Sequence, residues 1–322
     1  MPQAPFVIQP RLTAISLAYR NTTLIADQVL PRIPVDSETF KWSLYKKEDG
    51  YTIPDTKVGR KSSVNEIDWS ASESSASTQD YALDDLIPFF DVEAAKAAQL
   101  TQGVMPIDPE ARSTQLLTDL IALDRENRVA TKIFGSGSYA AGNTATLSGT
   151  SQWSDRTNSD PVNAILAAID AMIVRPNSAV FGRATWTQLR QHPKVVAAIF
   201  TQGGNAAQGG VVARQAVADL LELQNIYIGE AYANTAKKGQ TGAFSRLWGK
   251  HAAFLYLNPA VQSTEGGLTY GFTAQWGQRL AGTIVNDTTV GMRGGTRVRV
   301  GEAVQEIIAA NDTGYLFINA VA

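Results

Sequence analysis

Apolar and polar positions alternate through residues 40 to 83, and a period of two predicts β-strands. The two alternating runs are formed by Phe40, Trp42 and Leu44 and then by Asn65, Ile67, Trp69 and Ala71. Turn-forming pairs such as Asp49-Gly50 and Pro54-Asp55 separate the runs, and a polar tract at 70–79 follows them. We therefore predict a long β-hairpin over 40–83. An isolated two-stranded hairpin is marginally stable in water, and this one has little apolar surface to bury, so we expect a partner to hold it.

Residues 1 to 39 precede the hairpin and carry prolines at positions 2, 5, 10, 31 and 34. Proline fixes φ and removes a backbone donor. This part is therefore predicted to be an extended arm with one brief helix around Leu12 to Tyr19. Such an arm builds little core of its own, so we expect it to lie along the body of its own chain or along a neighbouring subunit.

The longest helical pattern runs from Pro109 to Gly135. Its apolar residues recur at helical spacing and are Leu116, Leu117, Leu120, Ile121, Leu123, Val129 and Ile133. Pro109 and Glu110 suit a first turn, and Gly135 suits the end of a helix. A helix of this length spans roughly 40 Å at about 1.5 Å per residue, so we expect it to act as the spine of the fold.

Helices and short strands alternate over residues 160 to 260, which predicts a compact α/β unit. Its helices are expected at 161–172, 183–191, 195–200 and 211–223, and its strands at 178–181, 226–228 and 251–257. Residues 135–160, before this unit, are predicted to form a loop or a weak hairpin. Further strands are predicted at 269–280, 283–285, 296–300 and 315–318, with 302–308 as a helical or extended link. The fold class is therefore α+β.

Composition and charge narrow the functional classes. The chain has 322 residues, of which 44% are hydrophobic and 18% charged, so it can bury a sizeable core. Its 28 basic and 30 acidic residues give a net charge of -2, and no Lys/Arg run forms a nucleic-acid footprint. The absence of cysteine excludes disulfides, thiolate metal sites and a cysteine nucleophile. No apolar window is long enough to cross a membrane and the start lacks a leader pattern, so we expect a soluble cytoplasmic product with no membrane partner.

Few residues are candidates for catalysis. The two histidines are His192, before a proline at a helix end, and His251, at the start of an apolar strand, and both are interpreted as structural. The glycine pairs at 203–204 and 209–210, like Gly249-Lys250-His251, lack the spacing of dinucleotide or phosphate loops. We therefore predict no catalytic, cofactor-binding or metal-binding residue.

Acidic residues cluster directly after the hairpin, at Asp84, Asp85, Asp91 and Glu93. Their spacing does not repeat as a metal cage requires. We interpret them as a helix cap or a charged contact between subunits, and a cation bound at an assembly interface is the alternative.

The order of these parts resembles the Hong Kong 97-type fold of the major capsid proteins of tailed bacteriophages, over essentially the whole chain. Residues 178–186, Ser-Ala-Val-Phe-Gly-Arg-Ala-Thr-Trp, are similar to the strand-then-helix step of that family's axial domain, and 189–194 continue it. Residues 298–302 and 313–320 resemble its terminal peripheral strands. The resemblance implies an N-terminal arm at 1–39, an extended loop at 40–83, a peripheral domain at 84–159 with the spine helix 109–135, an axial domain at 160–290 and closing peripheral strands at 291–322.

The resemblance implies a structural, non-enzymatic function without cofactors. The chain would form hexamers and pentamers of an icosahedral virion shell, assembled in the host bacterial cytoplasm, that encloses double-stranded DNA without sequence-specific binding. Because the hairpin starts near residue 40, no N-terminal scaffolding region fits, and a separate scaffolding protein is implied, together with a portal. A decoration protein is a further candidate partner. The candidate inter-subunit contacts are Trp42, Trp69, Lys57, Lys61, Gln202 and Asn205.

Three other interpretations stay open at this point. An encapsulin shares the fold but holds a cargo enzyme, a hydrolase with an unusual site would lack recognised motifs, and a tail or fibre component would not need a spine helix. Some members of the capsid family join subunits by a Lys-to-Asn isopeptide bond. Lys57 and Lys61 lie in the corresponding loop, but no acceptor asparagine is identified, so no cross-link is predicted.

Overall fold

The structure, a computed structural model, describes most of the chain and is built around two five-stranded sheets. The residues it describes are 7–18, 23–45, 51–60, 62–67, 71–102, 108–200, 210–237, 239–258, 261, 267–287 and 292–322. Mixed helices and sheets agree with the predicted α+β class.

The first sheet has the strand order β1-β12-β13-β5, with β2 paired to β12 as well. Its strands are β1 (Val7–Ile8), β2 (Arg32–Val35), β5 (Gln79–Pro88), β12 (Gly271–Asp287) and β13 (Gly295–Ile308). The pairs β12–β13 and β13–β5 are antiparallel, and β2 runs parallel to β12. Alternation along β13 places Val298, Val300 and Val304 on the buried face. The predicted arm therefore adds two strands to a sheet of its own chain.

The second sheet has the strand order β6-β14-β11-β7-β8. Its strands are β6 (Thr144–Thr146), β7 (Ser178–Gly182), β8 (Asn225–Gly229), β11 (Ala252–Leu255) and β14 (Gly314–Ile318). Every residue of β7 and β11 is buried, because the sheet is covered on both faces. This explains why both strands are continuous apolar runs without alternation.

Helices cover these sheets. Their bounds are α1 (Pro10–Ala18), α2 (Ala26–Val29), α3 (Phe89–Gln102), α4 (Pro109–Ile133), α5 (Pro161–Asp170), α6 (Arg183–Leu189), α7 (Pro193–Ile199) and α8 (Arg214–Leu220). Short 3-10 turns occur at Ser136–Ser138 and Gly149–Ser151. Side chains of α5 to α8 form one apolar cluster with Phe181 and Phe254 of the second sheet. None of the helices in the described part combines the length and the apolarity needed to cross a bilayer.

Helix α4 is the predicted spine helix, and it ends at Ile133, just before Gly135. Asp108 caps its N-terminus by accepting a hydrogen bond from the amide of Glu110 at 3.0 Å, and Pro109 occupies the first helical position. Its C-terminal half packs Val129 and Ile133 into a cluster with the second sheet. Its N-terminal half contacts the first sheet through Leu117 and Ile121. The spine helix thus joins both sheets.

Two small antiparallel pairs stand outside the main sheets. Strands β3 (Thr39–Tyr45) and β4 (Ala71–Ser77) form one, and β9 (Tyr232–Asn234) and β10 (Phe244–Arg246) form the other. The β3–β4 pair runs from Thr39 opposite Ser77 to Tyr45 opposite Ala71, which confirms a hairpin in this part of the chain.

Several predicted elements differ from the structure. The polar tract at 70–79 was expected to follow the second strand, yet it contains that strand, β4, while residues 63–67 have no regular structure. Exposed strands need no apolar face, so alternation did not reveal β4. Residues 302–308 continue strand β13 rather than forming a link. The two strands predicted at 269–280 and 283–285 are one strand, β12 (Gly271–Asp287), with a bulge between Trp276 and Leu280. Helix α3 was not predicted.

The predicted domain limits stay predictions. Strand pairing joins segments that these limits assign to different domains. Strand β14, in the predicted closing peripheral segment 291–322, pairs with β11 of the predicted axial domain. Strand β12, placed in the axial segment 160–290, pairs with β13 and β2 of the first sheet. Pairing between distant segments is not encoded in local periodicity, so a division by sequence position cannot reproduce it.

Candidate assembly surfaces

The β3–β4 hairpin is attached to the subunit at its base. Phe40 is buried with Ile33 and Phe272 in a small apolar cluster, and the rings of Phe40 and Trp42 lie 6.0 Å apart. The indole Nε1 of Trp42 is buried without a hydrogen-bond acceptor among the described residues. Trp42 therefore already packs against its own subunit, and its role in a contact between subunits stays a prediction.

The segment between the two hairpin strands exposes apolar side chains. Ile53 is 95% exposed and Val64 is 71% exposed. Local bonds still order parts of this segment, because the Asn65 side chain donates to the carbonyl of Asp55 at 2.7 Å and the amide of Lys57 donates to the Asp55 carboxylate at 2.9 Å. We call residues 51–60 and 62–67 the loop tip. Exposed apolar side chains on an extended segment mark a surface that another chain can cover.

Of the remaining candidate contacts, one lies within the described residues and four lie outside them. Lys57 lies in the exposed loop tip. Trp69, Lys61, Gln202 and Asn205 lie outside the described residues. Ile53 and Val64 were not among the candidate contacts predicted from the sequence, since isolated apolar residues near turn-forming pairs give no periodic signal.

A second apolar surface lies on the spine helix. Helical spacing predicted Leu116 and Leu120 to be part of an apolar face, yet they are 56% and 54% exposed. Leu83 of β5 is also exposed, and its register opposite Val300 turns it toward the same side of the sheet as the helix. We call these three exposed leucines the leucine surface.

The acidic residues after the hairpin have different surroundings, and Asp84 forms an ion pair. The two oxygens of Asp84 accept hydrogen bonds from Arg299 at 2.6 and 2.7 Å, and this contact lowers the pKa of Asp84. Asp85 accepts from the Ser113 hydroxyl at 2.6 Å, and Asp91 lies in the first turn of α3. In the described ranges, no group of three or more acidic or histidine side chains is arranged to hold a metal ion.

Both histidines occupy structural positions. His192 is fully buried, its Nδ1 accepts from the amide of Lys194 at the start of α7, and its Nε2 lies 3.0 Å from the Ser159 hydroxyl. Accepting at Nδ1 requires the neutral ring with its proton on Nε2. Nδ1 of His251 accepts from the amide of Asn319 at 3.1 Å. Both rings thus accept hydrogen bonds from backbone amides, which is a structural role.

The buried His192 makes stability depend on pH. Burial lowers its pKa, and the nearby Lys194 and Arg156 act in the same direction. Below about pH 6.5 the unfolded chain binds a proton that the folded chain resists, so the free energy of unfolding is expected to fall as pH falls from 7 to 5. Replacing His192 by Asn keeps a capping acceptor and removes this titration. Urea unfolding across that range should show a shallower pH slope for His192→Asn, and equal slopes would contradict the assignment.

Comparison with known proteins identifies the family of this fold. The sequence model described as Phage major capsid protein E matches residues 129–283. The major capsid protein of Pseudomonas phage JBD67 is 46% identical over 322 residues, which is the full length of both chains. The chain belongs to the bacteriophage major capsid protein family. Its location is accordingly the virion capsid, and its role is that of a structural shell protein.

Solved structures agree at the level of the fold. A phage-related protein from Bordetella bronchiseptica RB50 superposes with a TM-score of 0.74, 23% identity and 99% coverage of both chains. The capsid of Cyanophage P-SCSP1u gives a TM-score of 0.57 at 12% identity and covers 99% of this chain and 92% of that one. The Hong Kong 97-type capsid fold is confirmed. The full-length identity to a phage capsid protein also favours a phage shell over an encapsulin-type shell.

Proposed function

We propose that copies of this chain assemble into hexamers and pentamers, which close into an icosahedral shell around double-stranded phage DNA. The shell encloses the DNA without sequence-specific binding, and the chain has no catalytic activity. Assembly takes place in the host bacterial cytoplasm with a separate scaffolding protein and a portal, and a decoration protein is a further candidate partner. No covalent cross-link joins the subunits.

The exposed apolar loop tip is the observation that carries this proposal. A contact of unlike surfaces repeated around an axis closes into a ring, and this chain has both an apolar loop tip and an exposed leucine surface. Each aliphatic side chain of the loop tip that an adjacent copy buries stabilises the contact by roughly 1.5–3 kcal/mol. We place the loop tip over an adjacent copy, with Trp42 and Trp69 at the hairpin strands and Lys57 and Lys61 beside it. Gln202 and Asn205 lie near the capsomer axis.

Electron microscopy tests the proposal directly. The chain is expressed in a bacterial host alone and together with the other head-assembly proteins of its phage. Closed particles of one diameter are expected in the co-expression, and irregular or open assemblies are expected when the chain is expressed alone. A monomer that persists at high concentration in both preparations would contradict self-assembly. Uniform closed shells from the chain alone would contradict the need for a separate scaffolding protein.

The double substitution Ile53→Ser and Val64→Ser is expected to reduce the yield of particles while leaving the subunit folded. Both side chains are exposed in the subunit, so the free energy of unfolding should change by less than about 0.5 kcal/mol. In the assembly the lost burial amounts to about 3 kcal/mol or more for each loop. Sedimentation of co-expressed material measures the yield.

Ser63→Ala is the matched control, because it alters an exposed polar residue of the same segment. Its particle yield should equal that of the parent chain. A double serine variant with parental yield would show that the loop tip is not an assembly contact.

A further inference from the structure

Residues 25–32, which we call the anchor segment, contact the spine helix and the first sheet through buried polar groups. Val29 and Leu30 of the same segment pack in an apolar cluster with the spine helix and the second sheet. The carboxylate of Glu126 on the spine helix accepts from the amides of Ile25 at 3.0 Å and Ala26 at 2.8 Å. It also accepts from the indole of Trp248 at 2.6 Å. One carboxylate thus ties the start of α2 to the spine helix and to the loop before β11.

Arg125, the preceding residue on the spine helix, holds the other end of the anchor segment. Its guanidinium is 2% exposed and donates to the carbonyl of Leu30 at 3.1 Å, to the Thr273 hydroxyl at 3.0 Å and to the carboxylate of Asp27. The Thr273 hydroxyl also donates to Leu30 at 3.1 Å. The anchor segment is therefore fixed both to the helix and to strand β12.

A chain of ion pairs continues from Asp27 into the sheet. Arg32 donates to Asp27 at 2.8 Å and to Glu302 at 2.9 Å, and Arg279 donates to Glu302 at 2.8 Å. The side chain of Glu302 is completely buried. Burial alone would raise the pKa of Glu302, but the two arginines outweigh burial and lower it. We call Asp27, Arg32, Arg125, Glu126, Arg279 and Glu302 the ionic cluster.

Stability alone does not account for this cluster. Removing charges from water costs several kcal/mol per ion, and replacing a buried ion pair or triad by apolar residues of similar size is often neutral or stabilising. Ion pairs differ from apolar contacts in allowing few arrangements, since each donor needs an acceptor at one distance and angle. The cluster therefore fixes geometry more strictly than an apolar contact would.

The position of the cluster shows which geometry it fixes. Arg32 is the first residue of β2, which runs parallel to β12 from Arg32 opposite Thr273 to Val35 opposite Trp276. Only residues 36–38 separate β2 from β3 of the hairpin. With so short a connection, the direction in which β2 leaves the sheet constrains the direction of the hairpin, together with the apolar contact of Phe40 at the hairpin base.

We propose that the ionic cluster is a conformational device that sets the angle at which the hairpin leaves the subunit, and thereby the curvature of the assembled shell. This proposal rests on the self-assembly proposed above. Closed shells of one size need a narrow range of angles between subunits, because a small change in a repeated contact alters which ring or shell closes.

The test is to replace Glu302 and its two arginine partners without destabilising the fold. The triple variant Arg32→Met, Arg279→Met, Glu302→Leu substitutes apolar residues of similar length for all three partners. Its melting temperature is expected to equal or exceed that of the parent chain. In co-expression we expect loss of the single particle diameter, with mixed diameters or open sheets by electron microscopy. Amides of residues 32–42 should also exchange hydrogen faster.

Asp27→Asn provides a second variant if the triple variant does not fold, because the Asp27 side chain is 65% exposed and keeps an acceptor oxygen as asparagine. Like the triple variant, Asp27→Asn should broaden the distribution of particle diameters. Arg183→Gln with Glu230→Gln removes an ion pair elsewhere on the surface and should leave the diameter unchanged. Folded cluster variants that give the parental particle diameter and the parental hydrogen-exchange rates would contradict the proposal that the ionic cluster sets the hairpin angle. A parent chain that forms no closed particles would instead contradict the proposed self-assembly.

Discussion

Replacing Gly182 by alanine is expected to destabilise the subunit by more than about 4 kcal/mol and to leave little soluble protein. A Cβ atom at this position would lie 2.3 Å from the carbonyl oxygens of both Trp248 and Gly249. Gly182 has φ -65° and ψ 145°, a conformation open to any residue, so the cost is steric overlap rather than backbone strain. The two oxygens belong to the backbone just before β11, which pairs with β7, and they cannot move without disturbing the centre of the second sheet.

Gly137→Ala is the matched control for Gly182→Ala. No atom lies within 4 Å of the Cβ that this substitution would add. Its free energy of unfolding should equal the parental value or exceed it slightly, because alanine restricts the unfolded chain. Denaturant unfolding of both variants, with soluble yield as a second measurement, checks the contrast. A Gly182→Ala protein that unfolds at the parental denaturant concentration would show that the β7–β11 contact is looser than described.

The sequence predicted those elements whose local pattern is strong. Pro109 and the apolar spacing to Ile133 predicted the spine helix to within two residues of its end. The apolar runs at 178–181 and 226–228 predicted β7, which is buried throughout, and β8, which is partly buried at the edge of the sheet. The arm was expected to lie along its own chain or a neighbour, and its described residues lie along its own chain.

Elements defined by distant contacts could not be predicted in this way. Strand β4 is mostly serine and has only Ala76 packed against an apolar cluster, so its pairing with β3 is what identifies it as a strand. The exposure of Leu116 and Leu120 depends on which faces of the spine helix the two sheets cover, and helical spacing does not contain that information. For the proposed assembly surfaces, the sequence pointed to the hairpin, but it did not single out the exposed Ile53 and Val64 of the loop tip.

The ionic cluster also depends on contacts between distant residues, which local sequence patterns do not reveal. Arg125 and Glu126 are charged residues of the spine helix, yet both are buried. The bond from Ile25 to Glu126 spans 101 residues, and the bond from Arg32 to Glu302 spans 270. A charged residue on a helix is usually exposed, so only the arrival of the anchor segment over the helix explains their burial.

Glu126→Ala is expected to cost about 3–5 kcal/mol of folding free energy, close to the cost of breaking a buried charged contact. The substitution leaves the amides of Ile25 and Ala26 and the indole of Trp248 without their shared acceptor. Asp124→Ala, on the exposed side of the same helix, removes only a surface ion pair with Arg128 and should cost less than about 1 kcal/mol. Urea unfolding measures both values, and equal losses would contradict the central role of Glu126.

A double-mutant cycle with Trp248→Phe separates the contact of Glu126 with the indole from its contacts with the amides of the anchor segment. Phenylalanine keeps an aromatic ring but has no donor, so Trp248→Phe should cost less in the Glu126→Ala background than in the parent chain. The coupling free energy between the two positions is expected to be about 0.5–3 kcal/mol, because the indole has lost its acceptor in that background. Additive costs would show that Trp248 stabilises the fold by packing alone, with Glu126 acting only through the amides of the anchor segment.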